Sequence, residues 1–219
     1  MEFSLILNLI VTGLITSVEI TMFGALTGLA LGILLAIGDI YGGRIISTII
    51  RFYVEFFRGT PIVIQLFIFY YTIPTMLNTI IDGFTVGLLV FGLNSAAYQK
   101  GYIKGAIEAV FEDQMTAALS IGLSKVKAIF YVILPQALRL VIPAWGNEFS
   151  SLAKSTAAIL LIGVRDLTGA GRTIADQTFR ILETWGFIAL IYLTWITIIM
   201  KILDVLYEKV KIPGIEIVA

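Results

Sequence analysis

Long apolar runs separated by short polar segments dominate the hydrophobic pattern of this chain. The first run extends from Phe3 to Ile37 and is interrupted only by Asn8 and Glu19. As a single helix it would be about 52 Å long at 1.5 Å per residue, well beyond a hydrocarbon core of about 30 Å. We therefore expect this run to bend, or to begin as a surface segment before a span that starts near Leu14.

Glycines recur every four residues within this first run. Gly24, Gly28 and Gly32 share one face of a helix, and small residues let a second helix approach closely. For this glycine face we favour packing inside one subunit over contact with another subunit.

The apolar runs together predict five membrane-spanning helices. The chain is therefore predicted to be an all-α membrane protein with a single domain over residues 1–219. The second span is short of apolar residues, because only Ile62 to Pro74 is free of charge. It must therefore begin in a charged segment where Glu55 and Arg58, three residues apart, can pair. The predicted spans are residues 14–37, 52–74, 85–104, 138–162 and 185–207.

The connections between the spans are predicted from their polar residues. Residues 39–44 are typical of a turn, and residues 163–183 of a polar loop. Before the apolar part of the second span, Thr60 can cap a helix that begins at Pro61. Residues 105–135 form a solvent-facing loop with helical segments. Pro135 ends this loop and begins the fourth span. Near the end of the fifth span we expect Lys201 and Asp204 to pair.

The placement of lysine and arginine predicts the orientation, since cytoplasmic loops carry an excess of both. With the N-terminus outside and the C-terminus inside, eleven basic residues are cytoplasmic and three are external. The cytoplasmic set is Arg44, Arg51, Arg58, Lys100, Lys104, Lys125, Lys127, Arg139, Lys201, Lys209 and Lys211, and the external set is Arg165, Arg172 and Arg180. This orientation puts the 105–135 loop in the cytoplasm and leaves Lys154 in the membrane.

Composition supports the membrane assignment and excludes several function classes. Of the 219 residues, 58% are hydrophobic and only 14% are charged, whereas soluble domains carry roughly 25% charged residues. The chain has no cysteine and no histidine, and its formal net charge is zero. These facts exclude disulfides, thiol catalysis, histidine proton relays and a basic footprint for nucleic acid.

Ionisable and amide side chains inside a bilayer are costly, so they mark functional sites or satisfied structural pairs. Glu148 lies within the fourth span, and for it we favour a substrate cavity over an internal polar network. For Lys154 we favour the internal role. Asn94 and Tyr98 are four residues apart and share a helix face. The predicted substrate-binding residues are Gln65, Tyr70, Asn94, Tyr98, Asn147 and Glu148.

Enzymatic activity within this chain is not expected. The sequence contains no G-x-x-x-x-G-K-[ST] motif that would cradle a phosphate. It also shows no grouping of acid, base and nucleophile at enzymatic spacing, and we predict no metal site.

Four ordered motifs lie between residues 55 and 156. They are EFFRGTPIVIQL at 55–66, NSAAY at 94–98, QMTAALSIGL at 114–123 followed by ILPQA at 133–137, and IPAWGNEF at 142–149 continuing into KST at 154–156. Together they resemble the signature of the permease (transmembrane) subunits of polar amino-acid ABC importers, the histidine/glutamine/arginine type. The third motif is similar to the EAA loop of that family.

Some positions depart from the family pattern. Thr116 stands where the family has the glutamate that opens the EAA motif, and Asp113 where it usually has a glycine. After Tyr98 the family commonly has a glutamate and then an arginine, where this chain has Gly101 and Lys104. These differences fit either a divergent member or one half of a heterodimer.

The resemblance implies a type I ABC importer-like fold, with five transmembrane helices and a cytoplasmic coupling-helix loop. This chain would be the permease subunit that moves a polar amino acid into the cytoplasm by alternating access, driven by a separate ATPase subunit. The residues that the resemblance assigns to ATPase coupling are Gln114, Thr116, Ala117, Ala118, Gly122 and Pro135.

The resemblance also implies the partners and the location. The partners would be a dimer of cytoplasmic ATP-binding cassette subunits, a second permease chain in a homodimer or heterodimer, and an extracytoplasmic amino-acid-binding protein. The chain would be a multi-pass protein of the cell (inner or plasma) membrane with its N-terminus outside. It would hold no cofactor itself, since ATP and magnesium would bind to the partner subunit.

Two other classes of function compete with this interpretation. A stand-alone secondary carrier or channel for a small polar solute is the alternative, although carriers usually show internal repeats and the five unequal spans show none. A membrane subunit of a redox or energy-transducing complex would need histidine, cysteine or a cofactor-binding pattern, and the sequence has none of these.

Overall fold

The computed structural model describes residues 2–211, and it describes residues 111–113 through their backbone alone. Every regular element in this range is helical. The end of the predicted 1–219 domain, residues 212–219, and the side chain of Asp113 lie outside the described residues. The helices are α1 (Phe3–Tyr41), α2 (Gly43–Gly59), α3 (Ile62–Phe67), α4 (Ile73–Met76), α5 (Gly83–Ser120), α6 (Lys125–Ala128), α7 (Leu134–Ser155), α8 (Leu167–Thr178) and α9 (Ile181–Val210). A π-helical turn, Ile68–Thr72, joins α3 to α4, and another, Ile129–Ile133, joins α6 to α7, while a 3₁₀ segment, Thr156–Ile162, extends α7.

Three helical stretches of the described chain are long and apolar enough to cross a membrane. They are Phe3–Tyr41, Lys125–Ile162 and Ile181–Val210. The pair Gly43–Gly59 and Ile62–Met76 passes the same test together, but it is bent by 107° at its break. Helix α5 is long enough, with 38 residues, but its polar middle lowers its hydropathy. The structure therefore supports a multi-pass membrane protein, and the count of five spans stays a prediction.

Helix α1 is one continuous helix of 39 residues, so no helix break precedes the span predicted to start near Leu14. Its first turns pack against α8 and α9, where Ile10 joins an apolar cluster with Leu167, Ile174 and Ile188. Gly13 makes this contact close, since a Cβ there would lie 2.7 Å from the Asp166 carbonyl oxygen. Tertiary packing thus keeps α1 helical beyond the thickness of one hydrocarbon core.

The glycine face of α1 packs on α5, as the sequence predicted for contact inside one subunit. A Cβ at Gly24 would lie 3.1 Å from the Phe91 Cβ, and one at Gly28 would lie 2.6 Å from the Ser95 Cβ. One turn further along, a Cβ at Gly32 would lie 3.0 Å from the Gln99 Cβ. A Cβ at Gly28 would overlap Ser95, whereas at Gly24 and Gly32 the neighbouring residue of α5 would have to shift by a few tenths of an ångström. The small face thus allows a close approach of the two helices.

The apolar core lies on both sides of α5. One cluster joins α5 to α1 and α7 and includes Ala36, Ile103, Ile133 and Leu140. The other joins α5 to α1, α3 and α7 and includes Ile20, Leu66, Phe91 and Phe149. Helix α5 is thus the central helix against which the other long helices pack.

A buried charge cluster ties α1, α2 and α5 together. The Asp39 Oδ2 atom lies 2.7 Å from the Lys100 Nζ and 2.8 Å from the Lys104 Nζ. The Ser47 hydroxyl of α2 donates to Asp39 Oδ1 at 2.6 Å. Because the Asp39 side chain is only 3% exposed, these contacts supply the partners that a buried carboxylate needs.

Several local predictions need correction. The turn predicted at 39–44 is limited to Gly42 and Gly43, where Gly43 has φ +74°, because Asp39 is held inside α1 by its lysine partners. The polar loop predicted at 163–183 contains α8, whose N-terminus is capped by the Asp166 carboxylate through the Gly169 N–H at 2.8 Å.

The predicted loop at 105–135 is also largely helical. Helix α5 continues to Ser120, because buried Ile107, Val110 and Met115 keep packing on α7. Pro135 lies in the first turn of α7, directly after the π-helical turn. This position agrees with the prediction that Pro135 begins the fourth span, since proline is tolerated at the first helical positions.

Two predicted ion pairs are absent from the described chain. Lys201 and Asp204 form no salt bridge there, and neither do Glu55 and Arg58. Both pairs would lie on exposed helix surfaces, where an ion pair contributes little.

Substitution of Gly28 by alanine tests the α1–α5 contact. The new methyl group would overlap Ser95, so we expect a loss of roughly 1–3 kcal/mol in stability, as for other overpacked sites. Thermal unfolding of the purified protein in detergent would measure this loss. Gly186→Ala is the matched control, because no atom lies within 4 Å of a Cβ there. Equal melting temperatures for the two variants would contradict the close contact.

Substitution of Asp39 by asparagine tests the charge cluster. It leaves Lys100 and Lys104 without their shared counter-charge, so we expect a loss of roughly 3 kcal/mol, as when one partner of a buried pair is removed. Asp176→Asn is the control, since the Arg172–Asp176 pair is 3.8 Å long and exposed and should contribute less than about 1 kcal/mol. Similar unfolding curves for both variants would show that Asp39 is not a structural anchor.

Candidate functional site

A sharp bend between α2 and α3 opens a cavity toward α5 and α7. Helix α2 ends at Gly59, Thr60 and Pro61 are extended, and α3 begins at Ile62. The prediction that Thr60 caps the helix beginning at Pro61 is wrong. This helix is α3, and Pro61 occupies its N-cap position, while the Thr60 hydroxyl donates to Phe56 O at 2.7 Å. The bend leaves a cavity of about 390 Å³ beside α5 and α7.

Buried amides hold this bend in place. The Gln65 Nε2 atom donates to Phe57 O at 2.8 Å and to Thr60 O at 2.9 Å, and its Oε1 accepts from Asn94 Nδ2 at 3.0 Å. Asn94 Nδ2 also donates to Phe57 O at 3.2 Å. The last carbonyl groups of a helix lack intrahelical partners, and hydrocarbon offers none. Gln65 and Asn94 supply those partners, which stabilises a break that would otherwise be costly.

Charged groups of both signs line the cavity. The Arg58 guanidinium lies over the Tyr98 ring, 5.1 Å from its centroid. Glu148 lines the same cavity and is only 4% exposed. Among the described residues Glu148 forms no ion pair within 4.0 Å. The cavity therefore presents a cation and a carboxylate that do not neutralise each other by direct contact.

Three of the six predicted substrate-binding residues line this cavity together: Asn94, Tyr98 and Glu148. Gln65 is fully buried behind them, and its amide is engaged in holding the bend. Tyr70 lies apart from the cavity and packs edge-to-face on Tyr71, with ring centroids 4.8 Å apart.

Asn147 lines a different cavity of about 380 Å³ between α5, α7 and α9. Consecutive residues of a helix point about 100° apart, since a turn takes 3.6 residues. In this structure Asn147 and Glu148 therefore point in different directions and line different cavities. Lys154 is exposed and lines neither cavity.

Residues that the sequence reasoning missed complete the cavity: Arg58, Ser151 and Ser155. Ser151 and Ser155 follow Glu148 by three and seven residues, which puts all three on one helix face. That spacing in the sequence could have predicted that Ser151 and Ser155 lie beside Glu148. Arg58 was missed because it was assigned to a pair with Glu55 rather than to the cavity wall.

The turn between α5 and α6 carries the residues assigned to ATPase coupling. Gly122 has φ +84°, a left-handed conformation that glycine adopts without strain. The Gly122 N–H donates to Leu119 O at 3.0 Å, and the Leu123 N–H to Ala118 O at 3.1 Å. These bonds end α5 in the manner of a glycine C-cap.

Apolar side chains are exposed around this turn. Ile121 is 78% exposed and Val126 is 63% exposed, and Leu119, Phe130 and Tyr131 are exposed beside them. We call these five residues the apolar turn surface. An exposed apolar patch of this kind is typical of a protein contact site.

The other predicted coupling residues divide between this surface and the core. Ala117 and Thr116 are exposed, whereas Ala118 is 3% exposed and belongs to the apolar core. Gln114 is half-buried, and its Oε1 accepts from Gln136 Nε2 at 3.4 Å. Pro135 is exposed in the first turn of α7. Ala118 thus supports the turn from inside, and Ala117 is the alanine that a partner could touch.

Comparison with known proteins identifies relatives over nearly the whole chain. A family model described as "Binding-protein-dependent transport system inner membrane component" matches residues 28–211. The glutamine transport system permease protein GlnP of Escherichia coli (strain K12) is 35% identical over 205 residues, which cover 93% of this chain and 94% of that protein. The arginine transport system permease protein ArtQ of Bacillus subtilis (strain 168) is 34% identical over 202 residues, with 92% of each chain covered.

Solved structures agree with these relatives. The structure of an amino acid ABC transporter with histidines matches with a TM-score of 0.84 and 31% identity, and the match covers 96% of this chain and 99% of that one. The MetNI methionine ABC transporter in an inward-facing conformation shares the fold, with a TM-score of 0.76 at 20% identity, over 97% of this chain and 100% of that one. The family model matches residues 28–211, and the permease relatives match nearly the whole chain. This chain therefore belongs to the family of inner membrane components of binding-protein-dependent transport systems.

Proposed function

We propose that this chain is the permease of an amino-acid ABC importer and that the cavity beside the α2–α3 bend binds the transported amino acid. The observation that carries this proposal is the pair of charges, Arg58 and Glu148, which line one cavity without a direct ion pair. The relatives named as glutamine, arginine and L-cystine permeases support the substrate class.

An amino acid carries an α-carboxylate and an α-ammonium group, and the cavity offers a partner for each. The Arg58 guanidinium suits a carboxylate, because its planar donors match the two oxygens. The Glu148 carboxylate suits the ammonium group, and a buried carboxylate benefits from a cationic partner. The Asn94, Ser151 and Ser155 side chains are then available for a polar substrate side chain.

Transport itself is proposed to follow alternating access driven by a separate ATPase subunit. The apolar turn surface would dock on that subunit, and closure of the ATPase dimer on ATP and magnesium would displace α5 and α6. A second permease chain and an external binding protein would complete the assembly. In this arrangement the chain crosses the membrane five times as a type I importer, with its N-terminus outside and its C-terminus in the cytoplasm.

The remaining predicted residues take supporting positions in this proposal. Gln65 holds the bend, and Tyr70 and Asn147 would contact substrate only in another conformation. A stand-alone carrier or channel has no support from the family match, which covers residues 28–211.

Substitution of Glu148 by glutamine tests the substrate cavity. The side chain keeps its size and loses its charge, so we expect the concentration for half-maximal uptake to rise by roughly 10-fold or more, the effect of losing about 1.4 kcal/mol. Uptake of labelled amino acids into proteoliposomes containing the whole transporter would measure this, with Arg58→Gln expected to act in the same direction.

Lys154→Gln is the matched control, because Lys154 is charged, lies on the same helix and lines neither cavity. Its uptake kinetics should equal those of the wild type. An unchanged substrate dependence in both Glu148→Gln and Arg58→Gln would exclude this cavity as the binding site.

Substitution of Ala117 by glutamate tests the docking turn. A charge on this exposed position would be buried without a partner in the contact with the ATPase, which costs about 1–3 kcal/mol or more. We expect uptake to fall at least about 10-fold while the permease keeps its melting temperature.

Ala117→Ser preserves the size of the side chain and should retain uptake. Ala118 is unsuitable for this test, because a charge there would enter the apolar core and unfold the helix packing. Normal uptake and normal ATPase stimulation in Ala117→Glu would argue against docking at this turn.

A further inference from the structure

An apolar groove separate from the substrate cavity lies where α1, α8 and α9 meet. It has a volume of about 190 Å³ and shares no lining residue with the cavity beside the α2–α3 bend. Its apolar walls include Ile6, Ile10, Ile174, Phe187 and Ile188. The groove is open rather than enclosed, so whatever surrounds the protein at this point can enter it.

The depth of the groove in the membrane follows from α9. Trp185 lies in the second turn of this helix and is 39% exposed, and tryptophan concentrates at the boundary between headgroups and hydrocarbon. Of the most apolar stretch of α9, only 6% is buried inside the chain, so this side of the helix is exposed. Phe187 and Ile188 are further along α9 than Trp185, so the groove extends from the headgroup level into the hydrocarbon.

Two opposite charges stand at the rim of the groove. Arg180 precedes α9 and Glu183 lies in its first turn, and both are exposed lining residues. Neither side chain forms a hydrogen bond or an ion pair within residues 2–211. Arg180 and Glu183 are three residues apart at the start of α9 and line the same groove, so a headgroup that carries a phosphate and an ammonium group can meet both side chains.

We propose that this groove binds a phospholipid with a primary ammonium headgroup, one acyl chain along the groove, the phosphate at Arg180 and the ammonium group at Glu183. The apolar walls need an apolar occupant, and lipid is the medium that the exposed face of α9 meets. The charges select the headgroup: a purely anionic lipid satisfies Arg180 but is repelled by Glu183, whereas a zwitterionic ethanolamine lipid satisfies both.

Exposed apolar residues beside the rim support a lipid over a protein partner. Phe179 and Leu182 are each 85% exposed and Ile181 is 62% exposed, directly beside the Arg180 position. Apolar side chains flanking a basic residue at this depth are suited to the outer edge of the hydrocarbon. The occupied groove would brace the contact of α1 with α8, where Ser17 Oγ accepts from the Leu167 N–H at 3.1 Å.

Lipid binding to the purified, delipidated full transporter tests this proposal. Phosphatidylethanolamine, phosphatidylglycerol and phosphatidylcholine are added separately, and retained lipid is counted by mass spectrometry while melting temperature is recorded. We expect phosphatidylethanolamine to be retained best and to raise the melting temperature most. The double variant Arg180→Gln/Glu183→Gln should retain roughly 3- to 10-fold less of it, as expected when two exposed charge contacts are lost.

A second double variant, Arg172→Gln/Asp176→Asn, is the control, since this exposed pair belongs to α8 and lines no part of the groove. It should retain lipid like the wild type. A further variant, Ile6→Trp, fills the groove and leaves both charges, and it should also lower retention. Because these residues are remote from the substrate cavity, uptake kinetics test the proposed transport function separately.

Three outcomes would overturn the lipid site. The first is equal retention of phosphatidylethanolamine by the wild type and by Arg180→Gln/Glu183→Gln. The second is equal or better retention of phosphatidylglycerol, which would remove the role of Glu183. The third is a change in oligomeric state of the double variant with lipid retention intact, which would assign the groove to a contact between protein chains.

Discussion

Hydrocarbon offers no hydrogen-bond partner to a polar group, and this constraint organises the structure around the contact between α1 and α5. Helix α5 carries Ser95, Gln99 and Lys100 on faces that are buried in the membrane protein. The glycine face of α1 lets these groups reach backbone and side-chain partners: Gln99 Nε2 donates to Ala25 O at 2.9 Å and to Ser95 Oγ at 2.8 Å. These two bonds satisfy the Gln99 Nε2 group inside the protein rather than in lipid, whereas the buried Gln99 Oε1 atom has no hydrogen-bond partner among the described residues.

The same constraint explains how the chain can break a membrane helix between α2 and α3. The break frees the last carbonyl groups of α2, and Gln65 and Asn94 donate to them from neighbouring helices. Non-helical backbone at membrane depth is tolerated where it is buried in protein or lines a polar cavity, and here it does both. The cavity with Arg58 and Glu148 is thus a direct consequence of the bend and of the amides that hold it.

The sequence predicted the helical membrane fold, the packing of the glycine face and the shared face of Asn94 and Tyr98, because each follows from spacing along one helix. It missed the 107° bend between α2 and α3 at Thr60–Pro61. The Thr-Pro pair predicted the start of a helix there, but it did not indicate the angle between that helix and the preceding one. The sequence also grouped Asn147 with Glu148, although the two side chains line different cavities in the structure. The positions of Gln65 and Ala118 depend on contacts between helices distant in sequence, which no local pattern encodes.

Helix α5 connects the proposed substrate cavity to the proposed docking turn. It is continuous from Gly83 to Ser120, and Tyr98 and Ala117 are separated by about 28 Å at 1.5 Å per residue. The cluster of Asp39 with Lys100 and Lys104 lies between these two sites and attaches α1 to the same helix. A displacement of the turn between α5 and α6 would therefore move α1 and α5 together. Helix α2 is attached to both of them, to α1 by the Ser47–Asp39 hydrogen bond and to α5 by the Phe57–Asn94 hydrogen bond. Arg58 lies at the end of α2 beside the break, whereas Glu148 lies on α7, so two different helices carry the two charges of the cavity. The separation of these charges therefore depends on how α2 and α7 are placed against α5.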